Sequence, residues 1–232
     1  MKDILRAGLA ELGLTADDGA VENLLGYYRL LAETNKVMNL TAIRGEEETA
    51  RLHFLDCAAL LKFVPMEGKT LADVGSGAGF PGLVLKILSP STEVTLLDSL
   101  NKRVEFQRRT AESLGLTGIR CLAGRAEEER ELRESFQVVT SRAVARLGML
   151  AELCLPLAAP GGEFVAMKGP DPEEELREAE RGIRLLGGGE PAVERYTIPG
   201  TDTVHTLVRI PKLRPTPERY PRRFALIKKN PL

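Results

Sequence analysis

With only two histidines, His53 and His205, and three scattered cysteines, the chain has little to offer a soft metal ion or a disulfide framework. Cys57, Cys121 and Cys154 are odd in number, far apart and set in apolar neighbourhoods. That is the pattern of buried thiols in a reducing compartment, so no metal centre is expected. No apolar run approaches the length of a membrane span and no signal peptide opens the chain, so a cytoplasmic protein without a membrane partner is expected. A dominant charge sign is missing too, since −1 over 232 residues gives no overall pull towards nucleic acid. Internal repeats and low-complexity segments are absent. What remains, with 43% hydrophobic residues, suits one globular domain with an extension.

The most informative stretch is KTLADVGSGAGFPG, Lys69 to Gly82, with Asp98 sixteen residues further on at the end of EVTLLD. Leu71, Ala72 and Val74 read as a buried strand, and Gly75, Gly77 and Gly79 let the backbone turn sharply and approach a ligand. Asp98 closes a second strand where an acid would meet the hydroxyls of a bound ribose. Gly77 to Gly82 matches the dinucleotide fingerprint by letter, which keeps NAD in play. Asp73, two residues ahead of the first glycine, tips the balance. A pyrophosphate wants a bare helix N-terminus and would be repelled by a carboxylate. S-adenosylmethionine has no phosphate and carries a sulfonium and an ammonium, so acids at both strand ends suit it.

The strings NKVMNLT (Asn35 to Thr41), HFLDC (His53 to Cys57), DVGSGAGFPG, LLDSLNKR (Leu96 to Arg103), GRAEE, SRAVARL (Ser141 to Leu147), MKG (Met167 to Gly169) and YPRR (Tyr220 to Arg223) occur in this order. In that order and spacing, from about Asn35 to the C-terminus, the chain resembles the bacterial RsmG (GidB) family of small-subunit ribosomal RNA guanine-N7 methyltransferases. The resemblance implies an α/β, class I (Rossmann-like) fold and S-adenosylmethionine as cofactor. As substrate it implies N7 of the guanine conventionally numbered 527 in 16S ribosomal RNA, presented as naked RNA or in a small-subunit assembly intermediate. A monomer is expected.

The pattern along the chain divides into a helical extension over 1–65, a doubly wound, mostly parallel sheet domain over 66–212, and a basic, proline-rich tail over 213–232. In the extension Val21, Leu24, Tyr28 and Leu31 share one helix face, and Leu52, Leu55, Ala59 and Phe63 another. Asn39 or Thr41 would shape the linker between them through side-chain to backbone bonds. His53 and Asp56, three apart, are expected to form a packing pair, with a place at a pocket mouth as the sharper alternative. Ser99 would cap a helix running to Leu114 with Val104 and Phe106 turned inward. Further strands are expected at Ile119 to Ala123, Gln137 to Ser141 and Glu163 to Lys168, the last entered through a turn at Pro160-Gly161-Gly162, with a closing hairpin of Tyr196 to Pro199 and His205 to Ile210. The acidic run Asp171 to Glu180 reads as a solvated helix face.

Ligands of such sheets bind beyond the carboxyl ends of the central strands. The cofactor candidates are therefore Asp73, Gly75, Gly77, Gly79, Phe80, Asp98, Ser99, Ala126, Glu127 and Arg142, with Ala126 and Glu127 flanking the adenine. Arg142 could hold the methionine carboxylate or an RNA phosphate, and Lys168 could meet RNA. No general base is named. Ser141-Arg142-Ala143-Val144 stands where an exocyclic-amine methyltransferase carries Asn/Asp-Pro-Pro-aromatic, and no cysteine occupies a strand-end loop as a C5 mechanism needs. Guanine N7 requires neither, only in-line placement of its lone pair. From Arg209 to Leu232 eight cations face the single acid Glu218, a surplus of seven, leaving −8 on the other 208 residues. Arg219, Tyr220, Arg222, Arg223, Lys228 and Lys229 are the RNA-binding candidates, with Tyr220 and Phe224 able to stack on unpaired bases. Two other functions remain open: a methyltransferase of the same fold acting on another RNA, a small molecule or a protein, and a non-catalytic nucleotide-binding module.

Overall fold

The computed structural model describes residues 1–232. Five strands, β1 (Thr70–Val74), β2 (Glu93–Asp98), β3 (Ile119–Ala123), β4 (Phe136–Arg142) and β5 (Ala158–Lys168), run parallel. β6 (Ala192–Thr197) and β7 (Val204–Pro211) form a hairpin, and β7 lies antiparallel to β5. The strand order is β3-β2-β1-β4-β5-β7-β6, with the reversal of winding between β1 and β4. Crevices at such a reversal are where open α/β sheets hold ligands.

Side chains alternate across the sheet with period two, and each set feeds its own core. Leu71, Leu96, Val138 and Val165 face one way, onto α5 (Gly82–Leu88), α6 (Asn101–Ser113) and the N-terminal helices. Ala72, Leu97, Val139 and Phe164 face the other way, onto α7 (Leu147–Cys154), α8 (Glu173–Leu185) and the short C-terminal α9 (Phe224–Lys229). Each fully buried leucine in these layers contributes about 1.5–3 kcal/mol relative to exposure. No helix is long and apolar enough to cross a membrane.

The N-terminal residues form α1 (Lys2–Glu11), α2 (Asp18–Asn35), α3 (Glu46–Thr49), a π-helical segment (Ala50–Leu55) and α4 (Asp56–Phe63), the last three in one continuous rod. Leu5, Leu24 and Phe54 join Leu71 and Leu83 in a single buried cluster, so these helices share the core of the sheet. The buried tyrosine on α2 is Tyr27, not the expected Tyr28, which stays half exposed. The linker after α2 is shaped chiefly by Asn35, whose Oδ1 accepts from Leu40 N (2.7 Å) and Thr41 N (3.0 Å) and whose Nδ2 donates to Thr41 O (2.9 Å). Thr41 Oγ1 accepts from Ile43 N (3.1 Å) and meets His53 Nε2 (2.8 Å), while Asn39 is exposed.

Two further local expectations are corrected. Pro160-Gly161-Gly162 lies within β5, where the register against β4 shifts between Phe136 and Val138, so the glycines mark a bulge and not a turn. α6 begins at Asn101, and Asp98 Oδ1, not Ser99, accepts from the backbone ahead of it, at Leu100 N (2.9 Å). The acidic run starts α8 and is partly structural, because Glu175 accepts from Leu147 N (2.6 Å) and Lys168 Nζ (2.7 Å).

Candidate functional site

A cavity of about 470 Å³ opens over the carboxyl ends of β3, β2, β1 and β4. Its floor is the glycine loop after β1. Gly75 N and Ser76 N donate to Leu97 O on β2 (2.8 and 3.2 Å), and Gln107 of α6 donates to Ser76 Oγ and Gly77 O (2.8 and 2.7 Å). Gly75 sits at φ +72° with Val144 so close that a Cβ would meet its Cγ2 at 2.4 Å, so both backbone shape and space demand glycine there. Tyr27 OH reaches from α2 to Ala78 O (2.5 Å), which ties the N-terminal helices to the loop.

Asp98 closes the floor from β2. One oxygen accepts from Gly77 N (2.9 Å), the other from Leu100 N, and Arg103 approaches at 3.4 Å. The carboxylate is nearly buried yet lines the cavity, with lone pairs left for a diol. Beyond β3, Gly124 to Glu127 form the far wall. Glu127 is almost fully enclosed, its pKa is pushed up by burial, and its Oε1 has no hydrogen-bond partner, Arg125 standing 3.9 Å away. A buried acceptor without a donor costs roughly 1–3 kcal/mol, so a ligand N–H or O–H delivered here would be held firmly.

At the opposite end the π-helical segment and the start of α4 bring Leu52, His53 and Asp56 to the tip of β4. The wider π turn changes the phase of the rod, so His53 and Asp56 do not pair with each other as expected; both turn to Arg142. Arg142 donates to Leu52 O (3.2 Å), Asp56 Oδ2 (3.1 Å) and His53 Nδ1 (3.0 Å), and its guanidinium lies over the Phe80 ring at 5.1 Å. Asp56 also accepts on Oδ1 from Tyr196 OH (2.7 Å) and His205 Nδ1 (2.8 Å). Burial opposes its charge, but the His205 bond and the Arg142 guanidinium together outweigh it and keep the carboxyl below its usual range. His53 and Tyr27 stack on Phe80 with centroids 4.4 and 5.2 Å apart, so Phe80 lines the cavity as a clamped ring. Arg142 has five N–H groups and spends three, leaving two beside the cavity.

Of the residues expected from the sequence, Gly75, Gly77, Phe80, Asp98, Ser99, Ala126, Glu127 and Arg142 line this cavity. Asp73 and Gly79 do not. Asp73 is fully buried under the loop, its Oδ2 accepting from Gly82 N (2.8 Å) and its Oδ1 unpartnered, with a pKa raised to about 7 by burial. The expectation that it faces a cationic ligand is thus corrected. Because Gly82 is the first residue of α5, Asp73 occupies a helix N-terminal donor that a pyrophosphate would need. Lys168 turns away from the cavity to Glu175 and Ala145 O (2.9 Å), which corrects its place at an RNA surface.

The tail contains two corrections. Arg222 makes a two-pronged ion pair with Glu152, which is fully buried on α7, and Tyr220 is buried, so neither is free for RNA. Arg219, Arg223, Lys228 and Lys229 are exposed. The cavity also gathers residues not singled out as ligands, Leu40 and Thr41, Ser76 and Ala78, Arg103 and Arg125, and Leu153, together with Phe224, expected at RNA bases and not here. Leu40, Thr41 and Arg103 stand inside NKVMNLT and LLDSLNKR, so those strings carried the available signal.

A family model described as GidB, rRNA small subunit methyltransferase G, matches residues 20–199. A Clostridium botulinum protein named ribosomal RNA small subunit methyltransferase G is 44% identical over 234 residues, covering 99% of this chain and 98% of the relative. One of the same name from Alkaliphilus metalliredigens is 44% identical over 236 residues, covering 100% and 98%. Among solved structures, YcgJ of Bacillus subtilis superposes with a TM-score of 0.56 at 14% identity, covering 70% of this chain and all of that one. TrmN from Thermus thermophilus does so with 0.53 at 21% identity, covering 68% and 48%. A SAM-dependent methyltransferase from Aquifex aeolicus gives 0.50 at 18% identity, covering 71% and 93%; these likenesses show the class I fold.

Proposed function

The chain belongs to the rRNA small subunit methyltransferase G family, and from that premise we propose that it transfers a methyl group from S-adenosylmethionine to N7 of a guanine in 16S ribosomal RNA. The guanine is the one conventionally numbered 527, and the enzyme works in the cytoplasm as a monomer on the RNA or on a small-subunit assembly intermediate. The observation that carries this reading is the cavity at the winding reversal, with Asp98 at the end of β2 and the unpartnered Glu127 oxygen beyond β3.

These residues fit the donor. Asp98 would hold the ribose hydroxyls, Glu127 with Ala126 the adenosine end, and the loop Gly75 to Ala78 the sulfur-bearing middle. The bound donor supplies an electrophilic methyl on a sulfonium. A dinucleotide fits less well, because the α5 donor at Gly82 is already taken by Asp73. Arg142, Phe80 and His53 form the wall where the base would enter. Their mutual bonds hold that wall rigid, and positioning of this kind supplies most of what an N7 methylation needs. The positive charge passes from donor to base during transfer, and Arg142 does not oppose it because Asp56 balances its charge. His53 does not act as a base on the substrate, since both ring nitrogens are engaged, with Arg142 and with Thr41 Oγ1 (2.8 Å). The exposed Arg219, Arg223, Lys228 and Lys229 would contact RNA phosphates.

The test is transfer from labelled S-adenosylmethionine to naked 16S RNA and to small subunits, followed by digestion to nucleosides. Label in 7-methylguanosine is expected. Label on ribose, an exocyclic amine or carbon would overturn the reading, and label only on protein or a small molecule would transfer the fold to a different substrate class.

A further inference from the structure

The proline-rich tail does not trail into solvent; it is sewn to the sheet beside the cavity. Arg133 donates to Tyr220 O (2.7 Å), and Tyr220 and Ile227 are buried in the same core as α7. Arg222 donates to Glu152 from its backbone N (2.9 Å), its Nε (2.8 Å) and its NH2 (2.6 Å), and NH2 also reaches Asn230 O (2.9 Å). One side chain thus clasps both ends of the short α9 to a carboxylate that has no exposure at all. Leu153, the next residue on α7, is itself part of the cavity wall. Between the clasp and the Ile227 anchor stands Phe224, which also lines the cavity, with the Arg125 guanidinium 4.8 Å from its ring centroid.

The C-terminal segment therefore contributes one residue, Phe224, to the cavity lining, and its contact with Arg125 puts it on the β3 side, the side from which Ala126 and Glu127 also line the cavity. We propose that the C-terminal segment completes the donor site: Phe224, seated by the Arg222–Glu152 clasp, packs on the purine of the methyl donor. The inference rests on the donor reading above and names a ligand-contacting residue that reading does not contain. A flat aromatic ring with a guanidinium laid over it is a layered surface for a purine, which has a π-face to stack and a polar edge to present to Glu127. The clasp makes Arg222 a positioning residue, so the tail and donor binding are coupled.

The experiment uses S-adenosylhomocysteine and 5′-methylthioadenosine as probes, the second lacking the amino-acid end. Calorimetry on F224A should show about tenfold weaker binding of both, by the same factor, as loss of one stacking contact implies. R222K, which keeps the charge but loses the fork, should weaken both in the same direction. The chain contains no tryptophan, so in F224W the sole indole should report saturable quenching by either probe. F224A should keep the RNA affinity and the salt dependence of the parent. Parent-like affinity of F224A for both probes overturns the proposal, as does loss of RNA affinity with donor affinity intact, which would make Phe224 an RNA contact. If the parent itself binds neither probe, the donor reading fails first and this inference falls with it.

Discussion

His53 accepts a hydrogen bond on Nδ1 from Arg142, and because a guanidinium has no acceptor this 3.0 Å contact places the imidazole proton on Nε2, facing Thr41 Oγ1. Burial first, and the Arg142 charge second, hold its pKa down to about 3. His205 is the opposite case: its bond to Asp56 raises its pKa above the ordinary value. As the chain has only these two histidines, proton NMR should show one ring signal that does not move between pH 8 and 4 and one that titrates above about 6.5. Two signals titrating together near 6.5 would break the network described here.

The same pair fixes two pH effects on stability with opposite signs. Unfolded His53 takes up a proton below about pH 6.5 and the folded residue does not, so stability is lost as pH falls from there towards 3. His205, protonated more readily when folded, adds stability below about 6.5, and that share is lost as pH rises through its raised value. H205N should therefore lie furthest below the parent in urea midpoint near pH 6 and close the gap by pH 9. A gap that is constant over this range would show that His205 is not charged in its contact with Asp56.

Asp98 holds the loop and faces the cavity at once, which makes its variants informative in a graded way. D98A removes the acceptor for Gly77 N and Leu100 N together with the proposed ribose contact, and donor affinity should fall by about 1.5–3 kcal/mol, the worth of a charge-assisted bond. D98N keeps one acceptor oxygen and should fall between. Calorimetry giving parent affinity for both would remove Asp98 from the site.

The strands and the loop were legible because their signals are local. β2 and β3 have the ends expected of them, β2 because an apolar run between turn residues suits a buried parallel strand, and β3, a half-exposed edge strand, because turn residues bound it on both sides. What could not be read depends on partners far along the chain. A basic tail reads as free cations until Glu152, seventy residues away inside the apolar LGMLAELC, is found to hold Arg222. A carboxyl-terminal strand acid reads as a ligand group until Gly82 N is seen to take it. The Tyr27 and Tyr28 exchange has a simpler cause: adjacent like residues differ by 100° on a helix, and the pattern of Val21, Leu24 and Leu31 tolerates either. The π-helical phase change that turns His53 and Asp56 to Arg142 has no mark in residue type at all.

Asp73 is a buried acid with one unsatisfied oxygen and a pKa of about 7. Its raised value means that ionisation costs the folded state stability, a loss that begins above the unfolded value of about 3.9 and grows as pH rises through 7. D73N retains an acceptor for Gly82 N and carries no charge. It should equal or exceed the parent in thermal midpoint at pH 8 and show a flatter dependence between pH 5 and 8, with donor affinity unchanged. A fall in donor affinity would restore Asp73 to the binding site, and an equal loss of stability at every pH would show that the carboxylate is needed as such.

The cations of the tail fall into two groups with different predicted signatures. Arg219, Arg223, Lys228 and Lys229 are exposed, whereas Arg222 is committed to Glu152. Phosphate contacts release counterions, so replacing these four exposed cations by alanine should weaken RNA binding and flatten the plot of log affinity against log salt by about 0.7 per lost single-strand contact, roughly 3 in all. Replacing Arg222 breaks a pair whose carboxylate is buried, a loss of about 3–5 kcal/mol in stability, and should leave the salt slope as it was. Filter binding over a salt series separates the groups. Parent-like slopes in the fourfold variant would leave the tail as cover for the sheet and the cavity alone, and the RNA grip would then pass to cations that line the cavity, Arg103 and Arg125.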